Sequence, residues 1–293
     1  MRERFVDLSE VRLHCVESGE GPLVVLLHGY PEFWYSWRHQ IPAIAAAGMR
    51  VVAPDMRGYN LSDKPKGVDA YSIYRLARDV RELIEACGAE RAAVVGHDWG
   101  GSVAWYFAMH HGGALERLAI LNAPHPRMFQ RALRTFGQLR RSWYMFAMQL
   151  PALPEALVRA RAFSALREAF LRNPVRPGAV TEEDIAKYIE AMSQPGAVTA
   201  TINYYRAAGR SLLRRRSESG SVRPVEAPVL VIWGEQDRYL GRELAEPPRA
   251  LVPRARLERI ADAGHFVQHD QPERVNELLV PFLRGDADSL TAG

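Results

Sequence analysis

The 293-residue chain holds only two cysteines, Cys15 and Cys87, and neither stands at metal-like spacing from the other or from a histidine. That count excludes a disulfide framework and leaves two reduced, structural thiols as the expectation, one in a strand pattern and one in a helical pattern. Lysine is nearly missing too: Lys64, Lys66 and Lys187 are the only ones, so arginine carries almost all the positive charge. Against 34 acidic residues the 38 basic ones leave a formal charge of +4, a small excess that points to no nucleic acid partner. Long apolar runs are absent as well. LVVLL at Leu23–Leu27 is strand-sized, and the N-terminal MRERFVDLSE has no apolar stretch behind it. The expectation is therefore no signal peptide, no membrane partner and a cytoplasmic location.

What is present is a composition, 47% hydrophobic and 25% charged, that fits one large α/β domain or a domain carrying an insertion. Phe5–Leu8 and Val11–Val16 read as a strand pair turning near Ser9-Glu10. Buried strands follow at Leu23–Leu27, Val51–Ala53 ending at Pro54, Ala92–Val95 ending at Gly96, and Leu118–Leu121. Helix signals separate them. From Ser72 to Cys87 the apolar positions Ile73, Leu76, Ala77, Val80, Leu83, Ile84 and Cys87 share one face, and Gly88 supplies the stop. Strands alternating with helices imply a mostly parallel sheet, with ligands at the carboxyl ends of its strands.

After Pro126 strand signals vanish as far as Arg216, and helical pattern is broken at Pro151, Pro154, Asn173–Gly178 and Gln194–Gly196. Thr181 followed by Glu182, Glu183 and Asp184 predicts a capped helix start. The polar stretch Ser217–Ser221 closes this helical insertion, and Arg214–Arg216 reads as a solvated helix end. Strands resume at Val229–Trp233 and Leu257–Ile260, a helix runs from Pro272 to Leu283, and GDADSLTAG reads as a frayed tail.

Chemistry concentrates in AAVVGHDWGGSVAW, Ala92–Trp105. A strand runs through Gly96-His97-Asp98-Trp99-Gly100-Gly101 into a helix, and small residues two before and two after Asp98 are what a sharp strand-to-helix elbow requires. The elbow presents a carboxylate where related elbows present serine, beside a helix N-terminus whose dipole favours negative charge. Merely capping that helix would not need the flanking glycines. A carboxylate attacking an ester or amide would give a reactive anhydride. Attack on an activated sp3 carbon instead gives an alkyl ester that water can cleave, so the substrate is expected to be an epoxide or a haloalkane. Cleavage then needs a histidine oriented by an acid. Asp237, in VLVIWGEQDRYL, and His265, in RLERIADAGHFVQHDQPE, follow late strands in the order nucleophile, acid, histidine. Glu235 and Asp262 compete with Asp237, and His28, His97 and His269 compete with His265 but read as structural. The backbone N–H groups of Tyr30, after His28-Gly29, and of Trp99 are placed to form an oxyanion hole.

In that order HGYP, DMRGYNLSD (Asp55–Asp63), GHDWGG, LNAPHP (Leu121–Pro126), WGEQD and AGHF resemble the α/β-hydrolase fold epoxide hydrolases, over nearly the whole chain. The resemblance implies an eight-stranded, mostly parallel sheet with helices on both faces, a core of residues 1–125 and 222–293, and an all-helical cap of residues 126–221 over a mostly apolar pocket. It also implies a trans-diol product, a role in detoxification, an aspartyl ester on Asp98, water activation by His265 with Asp237, and two cap tyrosines that hold and protonate the epoxide oxygen. Tyr144 and Tyr205 match those positions, with Tyr204 as the neighbour of the second. No cofactor and no metal are implied, the partner is a small apolar epoxide, and the chain is expected to be a monomer or homodimer.

The nearest alternative is a haloalkane dehalogenase, which shares the HDWGG elbow. Those enzymes use N–H donors for the departing halide, Asn after His-Gly or a second Trp in the cap. Here Tyr30 fills the first place, while Trp143 keeps the second open. Asn122 is neutral, so the acid has to come from the Asp237 loop. A serine esterase is disfavoured because Ser102 lies past the elbow, and a non-catalytic receptor of this fold would be expected to lose a triad member.

Overall fold

The computed structural model describes residues 1–214 and 223–286, with the side chains of residues 213 and 214 left undescribed. Eight strands form one sheet: β1 (Arg2–Asp7), β2 (Arg12–Ser18), β3 (Leu23–Leu27), β4 (Arg50–Pro54), β5 (Ala92–His97), β6 (Leu115–Leu121), β7 (Val229–Gly234) and β8 (Ala255–Ile260). Their order is β1-β2-β4-β3-β5-β6-β7-β8. The β1–β2 and β2–β4 pairs are antiparallel and the remaining pairs parallel. β3 and β5 are buried at every position, which is why they read as unbroken apolar runs rather than alternating ones. Each face of the sheet carries its own core, one around Leu27, Val94, Val103 and Ile120, the other around Leu26, Val95, Leu121 and Ile232.

Helices α1 (Gln40–Ala46), α2 (Ile73–Ala86) and α3 (Asp98–His110) cover the first half of the sheet. α2 buries the predicted face and stops where Gly88 takes φ +78°. Between β6 and β7 the described residues form helices and no strand: α4 (Pro126–Ala132), α5 (Phe136–Arg141), α6 (Trp143–Ala147), α7 (Leu153–Arg172, interrupted by a non-helical kink at Ala160–Phe163), α8 (Glu182–Ser193) and α9 (Ala197–Arg214). α10 (Val267–Asp270) and α11 (Pro272–Arg284) complete the chain, α11 ending where Gly285 turns left-handed at φ +87°. Thr181 and Asp184 form a reciprocal capping box at the start of α8, as its sequence predicts. Among the described residues no helix is long and apolar enough to cross a membrane. Cys15 and Cys87 are both free and buried.

Several boundaries differ from expectation. Pro154 is not a break: it sits in the first turn of α7, where a missing N–H costs nothing. Gln138 and Ser142 are buried and bonded to each other, and the chain breaks after α5 at Ser142 without a proline or glycine to signal it. β6 starts at Leu115 rather than Leu118, its beginning hidden by exposed Glu116 and half-exposed Arg117. The Arg215–Arg216 run, the Ser217–Ser221 closure, the boundary at residues 221 and 222, and the tail beyond Asp286 lie outside the described residues.

Candidate active site

Four loops at the carboxyl ends of β3, β5, β7 and β8 converge on Asp98. The elbow is tight in the physical sense: Asp98 holds φ +49°, a backbone region an L-residue occupies only when its surroundings enforce it. A Cβ on Gly100 would collide with the Leu27 carbonyl, and one on Gly29 would lie 2.5 Å from the Asp98 Cβ. His97 is the N-cap of α3 and no side chain caps it, so Asp98 is not spent on the helix. Its carboxylate instead takes a hydrogen bond donated by the Tyr30 backbone N–H to Oδ1, at 2.8 Å. Trp99 follows immediately, its ring edge-on to Tyr205 and Tyr204.

The other Asp98 oxygen, Oδ2, lies 3.5 Å from His265 Nε2, and His265 Nδ1 lies 2.7 Å from Asp237 Oδ2. Asp237 is locked in place, accepting from Asn122 Nδ2 (2.8 Å) and from the backbone N–H groups of Tyr239 (2.8 Å) and Leu240 (3.0 Å). Burial works against its charge, but His265 and these donors outweigh it and hold its carboxyl below the usual range. Burial likewise opposes an imidazolium at His265, yet Asp237 and Asp98 win and raise its pKa well above an ordinary histidine. Glu235 reaches Arg259 and Asp262 takes the Gln271 amide, so neither competes for His265.

Of the other histidines, His28 accepts from the Met56 N–H and donates to Gly29 O, which braces the Tyr30 loop. His97 donates from Nε2 to the His265 carbonyl (2.8 Å) and meets Glu32 Oε2 at Nδ1 (2.7 Å). Glu32, fully buried, also contacts His269 Nε2 (3.1 Å) and accepts from the Gly29 N–H (3.1 Å). One carboxylate thus ties the Tyr30 loop, the elbow and the His265 loop together. Nothing in the sequence around Glu32 marks it, because its histidine partners lie far away in the chain.

The two inserted tyrosines face the same place. Tyr205 packs edge-on against Tyr30 (5.5 Å between ring centroids), Trp99 (5.1 Å) and Tyr144 (6.0 Å). Tyr204 does not: its hydroxyl donates to the Arg57 carbonyl at 2.7 Å and its ring lies between Tyr59 and Tyr71. Burial, then the Asp98 charge, raise the Tyr144 phenol well above its usual pKa; burial, then Tyr144 and Asp98, do the same for Tyr205. Both therefore stay protonated. Tyr239, unmarked in the sequence reading, closes the ring of aromatics, 5.6 Å from Tyr144 and 5.1 Å from His265, with its hydroxyl oxygen accepting from Asn173 Nδ2 at 2.6 Å. Trp143, the possible halide donor, is 67% exposed, which disfavours the dehalogenase alternative.

Comparison with known proteins identifies the family. Residues 22–272 match the α/β hydrolase fold family. The chain is 40% identical to Caenorhabditis elegans epoxide hydrolase 1, over 96% of this chain and 70% of that one. The chain belongs to the epoxide hydrolases of the α/β-hydrolase fold. It is also 41% identical to the AB hydrolase superfamily protein YfhM of Bacillus subtilis, over 96% and 97% of the two chains. Among solved structures, the Bacillus megaterium epoxide hydrolase bound to an inhibitor superimposes with a TM-score of 0.87 at 33% identity, covering 96% of this chain and all of the other.

Proposed function

We propose that this epoxide hydrolase opens a small apolar epoxide to a vicinal diol through an ester on Asp98, with residues 126–221 acting as a cap over a core of residues 1–125 and 222–293. Asp98 Oδ2 attacks one ring carbon, the carbon–oxygen bond breaks, and the electron pair goes to the epoxide oxygen. Tyr144 and Tyr205 bind that oxygen and one of them gives it a proton, which neutral phenols can do without themselves starting charged. Alkylation removes the Asp98 charge, one of the two anions that raise the His265 pKa, so the ester itself favours the neutral imidazole that can accept a proton. His265, oriented by Asp237, then takes a proton from water as the water oxygen adds to the ester carbonyl carbon. The oxyanion forms on Oδ1, where the Tyr30 N–H already points and the Trp99 N–H is the second donor. Collapse breaks the bond to the acyl carbon, His265 protonates the departing diol oxygen, and the remaining proton restores the phenol.

The observation that carries this reading is a carboxylate at a strained elbow with an acid-backed imidazole 3.5 Å from one oxygen and a backbone donor on the other. The test is rapid mixing with an epoxide followed by mass analysis. A transient adduct of enzyme plus epoxide on the Asp98 peptide is expected, and turnover with no adduct in wild type or in His265→Gln would contradict it. Chloroalkane turnover at a comparable rate would favour the dehalogenase reading instead.

A further inference from the structure

Large apolar side chains left in water are scattered singly over most of the described residues, as on any protein. One stretch differs. Phe136, Leu139, Trp143, Phe146, Leu150, Leu153 and Leu157 are seven of the thirteen such residues, each between 37% and 83% exposed. They recur at alternating intervals of three and four, but across three helices interrupted at Ser142 and between Met148 and Ala152, so what they share is outward exposure along one stretch of chain. The stretch runs along α5, α6 and the start of α7, and its amphipathicity is inverted. The buried positions Gln138 and Ser142 are polar, with Gln138 donating to the Tyr239 carbonyl and accepting from the Gly241 N–H. Seven large apolar side chains turned outward in one stretch of chain are a docking feature.

Charge says what docks. Residues 126–172 contain nine arginines, two glutamates, no aspartate and no lysine. Glu155 is held by Arg206 and Glu168 by Arg172. Arg127, Arg131, Arg134, Arg140, Arg159 and Arg161 are exposed and form no ion pair among the described residues. A two-fold contact would press this face against its own positive charge, which opposes a second copy of the chain. Tryptophan, phenylalanine and leucine bordered by arginine are what the headgroup region of an anionic bilayer accommodates.

We propose that α5, α6 and the start of α7 dock peripherally on anionic lipid membranes. Such docking departs from the sequence-based expectation of no membrane partner, and it needs no spanning helix. α6 carries Trp143 and Phe146 outward and Tyr144 toward Tyr205 and Tyr239. The helix that meets the bilayer is therefore the one that meets the substrate, and apolar epoxides concentrate in bilayers. Docking stands on the surface side chains alone; only this delivery route rests on the epoxide reading.

The experiment is co-sedimentation of the full chain with vesicles of phosphatidylcholine alone or of equal parts phosphatidylcholine and phosphatidylglycerol, at low and high salt. Binding is expected to the anionic vesicles only and to be reversed by salt. Arg131→Gln/Arg134→Gln/Arg140→Gln should weaken partitioning roughly 10²-fold, and Trp143→Ser/Phe146→Ser should abolish it, both with unchanged turnover of a water-soluble epoxide. Should either variant misfold, quenching of wild-type tryptophan fluorescence by brominated lipid, reduced in Trp143→Phe, reads the same contact. Wild-type protein that stays in the supernatant, or binds both vesicles equally, overturns the proposal. So does a dimer by light scattering that Trp143→Ser/Phe146→Ser dissolves, which would assign the face to a second copy.

Discussion

The two sides of Asp98 are held by different means. On the core side every group proposed to react is tied by hydrogen bonds. Asp237 accepts from three donors besides His265, His97 braces the His265 carbonyl, and the Tyr30 N–H lies on Asp98 itself. On the inserted side Tyr144 and Tyr205 are positioned by ring packing, and neither hydroxyl has a hydrogen-bond partner among the described residues. The difference fits the two tasks proposed for them. A nucleophile and base need fixed geometry before substrate arrives, since small displacements are costly. Phenols that must bind an incoming oxygen need their hydroxyls uncommitted.

The comparison predicts graded losses. Asp98→Ala should abolish turnover, on the order of a 10⁵–10⁶-fold loss, and His265→Gln should halt the reaction at the ester, seen as an intact alkyl-enzyme mass. Tyr144→Phe and Tyr205→Phe should each slow alkylation in a single turnover by roughly 10²–10⁴, with the double variant slower still; normal alkylation in that variant would remove phenols from the chemistry. Charge coupling gives a third test. Because Asp98 helps to raise the His265 pKa, Asp98→Asn should lower it, read by imidazole NMR titration, and an unchanged value would break the link between ester formation and base activation.

Two stability effects are smaller. His265 is raised in the folded state, so its stabilisation is complete below its ordinary value of 6.5 and is lost as pH rises through the folded pKa. Asp237 is lowered, so its share is complete above the ordinary 3.8 and fades as pH falls through the folded value. The share of stability that these two groups contribute should therefore be flat between those limits and decline on either side, and Asp237→Asn should remove from a denaturant-against-pH profile the acid-side decline belonging to that carboxyl. Smallest of all, Tyr204→Phe should cost about 1 kcal/mol of stability through its lost bond to Arg57 while leaving single-turnover alkylation unchanged, in contrast to Tyr205→Phe.

The core was legible because each of its features is local. β3 reads as LVVLL because both its faces are covered, and the elbow reads as Gly96-His97-Asp98-Trp99-Gly100 because its backbone leaves no room for side chains. The acid and histidine follow their strands at short distance. What escaped notice depends on distant partners. Glu32 meets His97 65 residues on and His269 237 residues on, and Tyr239 matters only because α6 and the His265 loop meet over it. The choice between Tyr204 and Tyr205 needed the Arg57 carbonyl, since neighbouring helical positions point about 100° apart. In the inserted helices polar residues turn inward and apolar ones outward around α5, so hydropathy could not indicate which face met the core.

The most direct test of the account is a single turnover, enzyme in excess, in water enriched in heavy oxygen, with mass analysis of both the diol and the Asp98 peptide. Attack through Asp98 predicts a first diol carrying only ordinary oxygen and a heavy atom left in the Asp98 carboxyl. Heavy oxygen in the first diol, with an unlabelled Asp98 peptide, would mean that water attacks the epoxide directly and would contradict the covalent route.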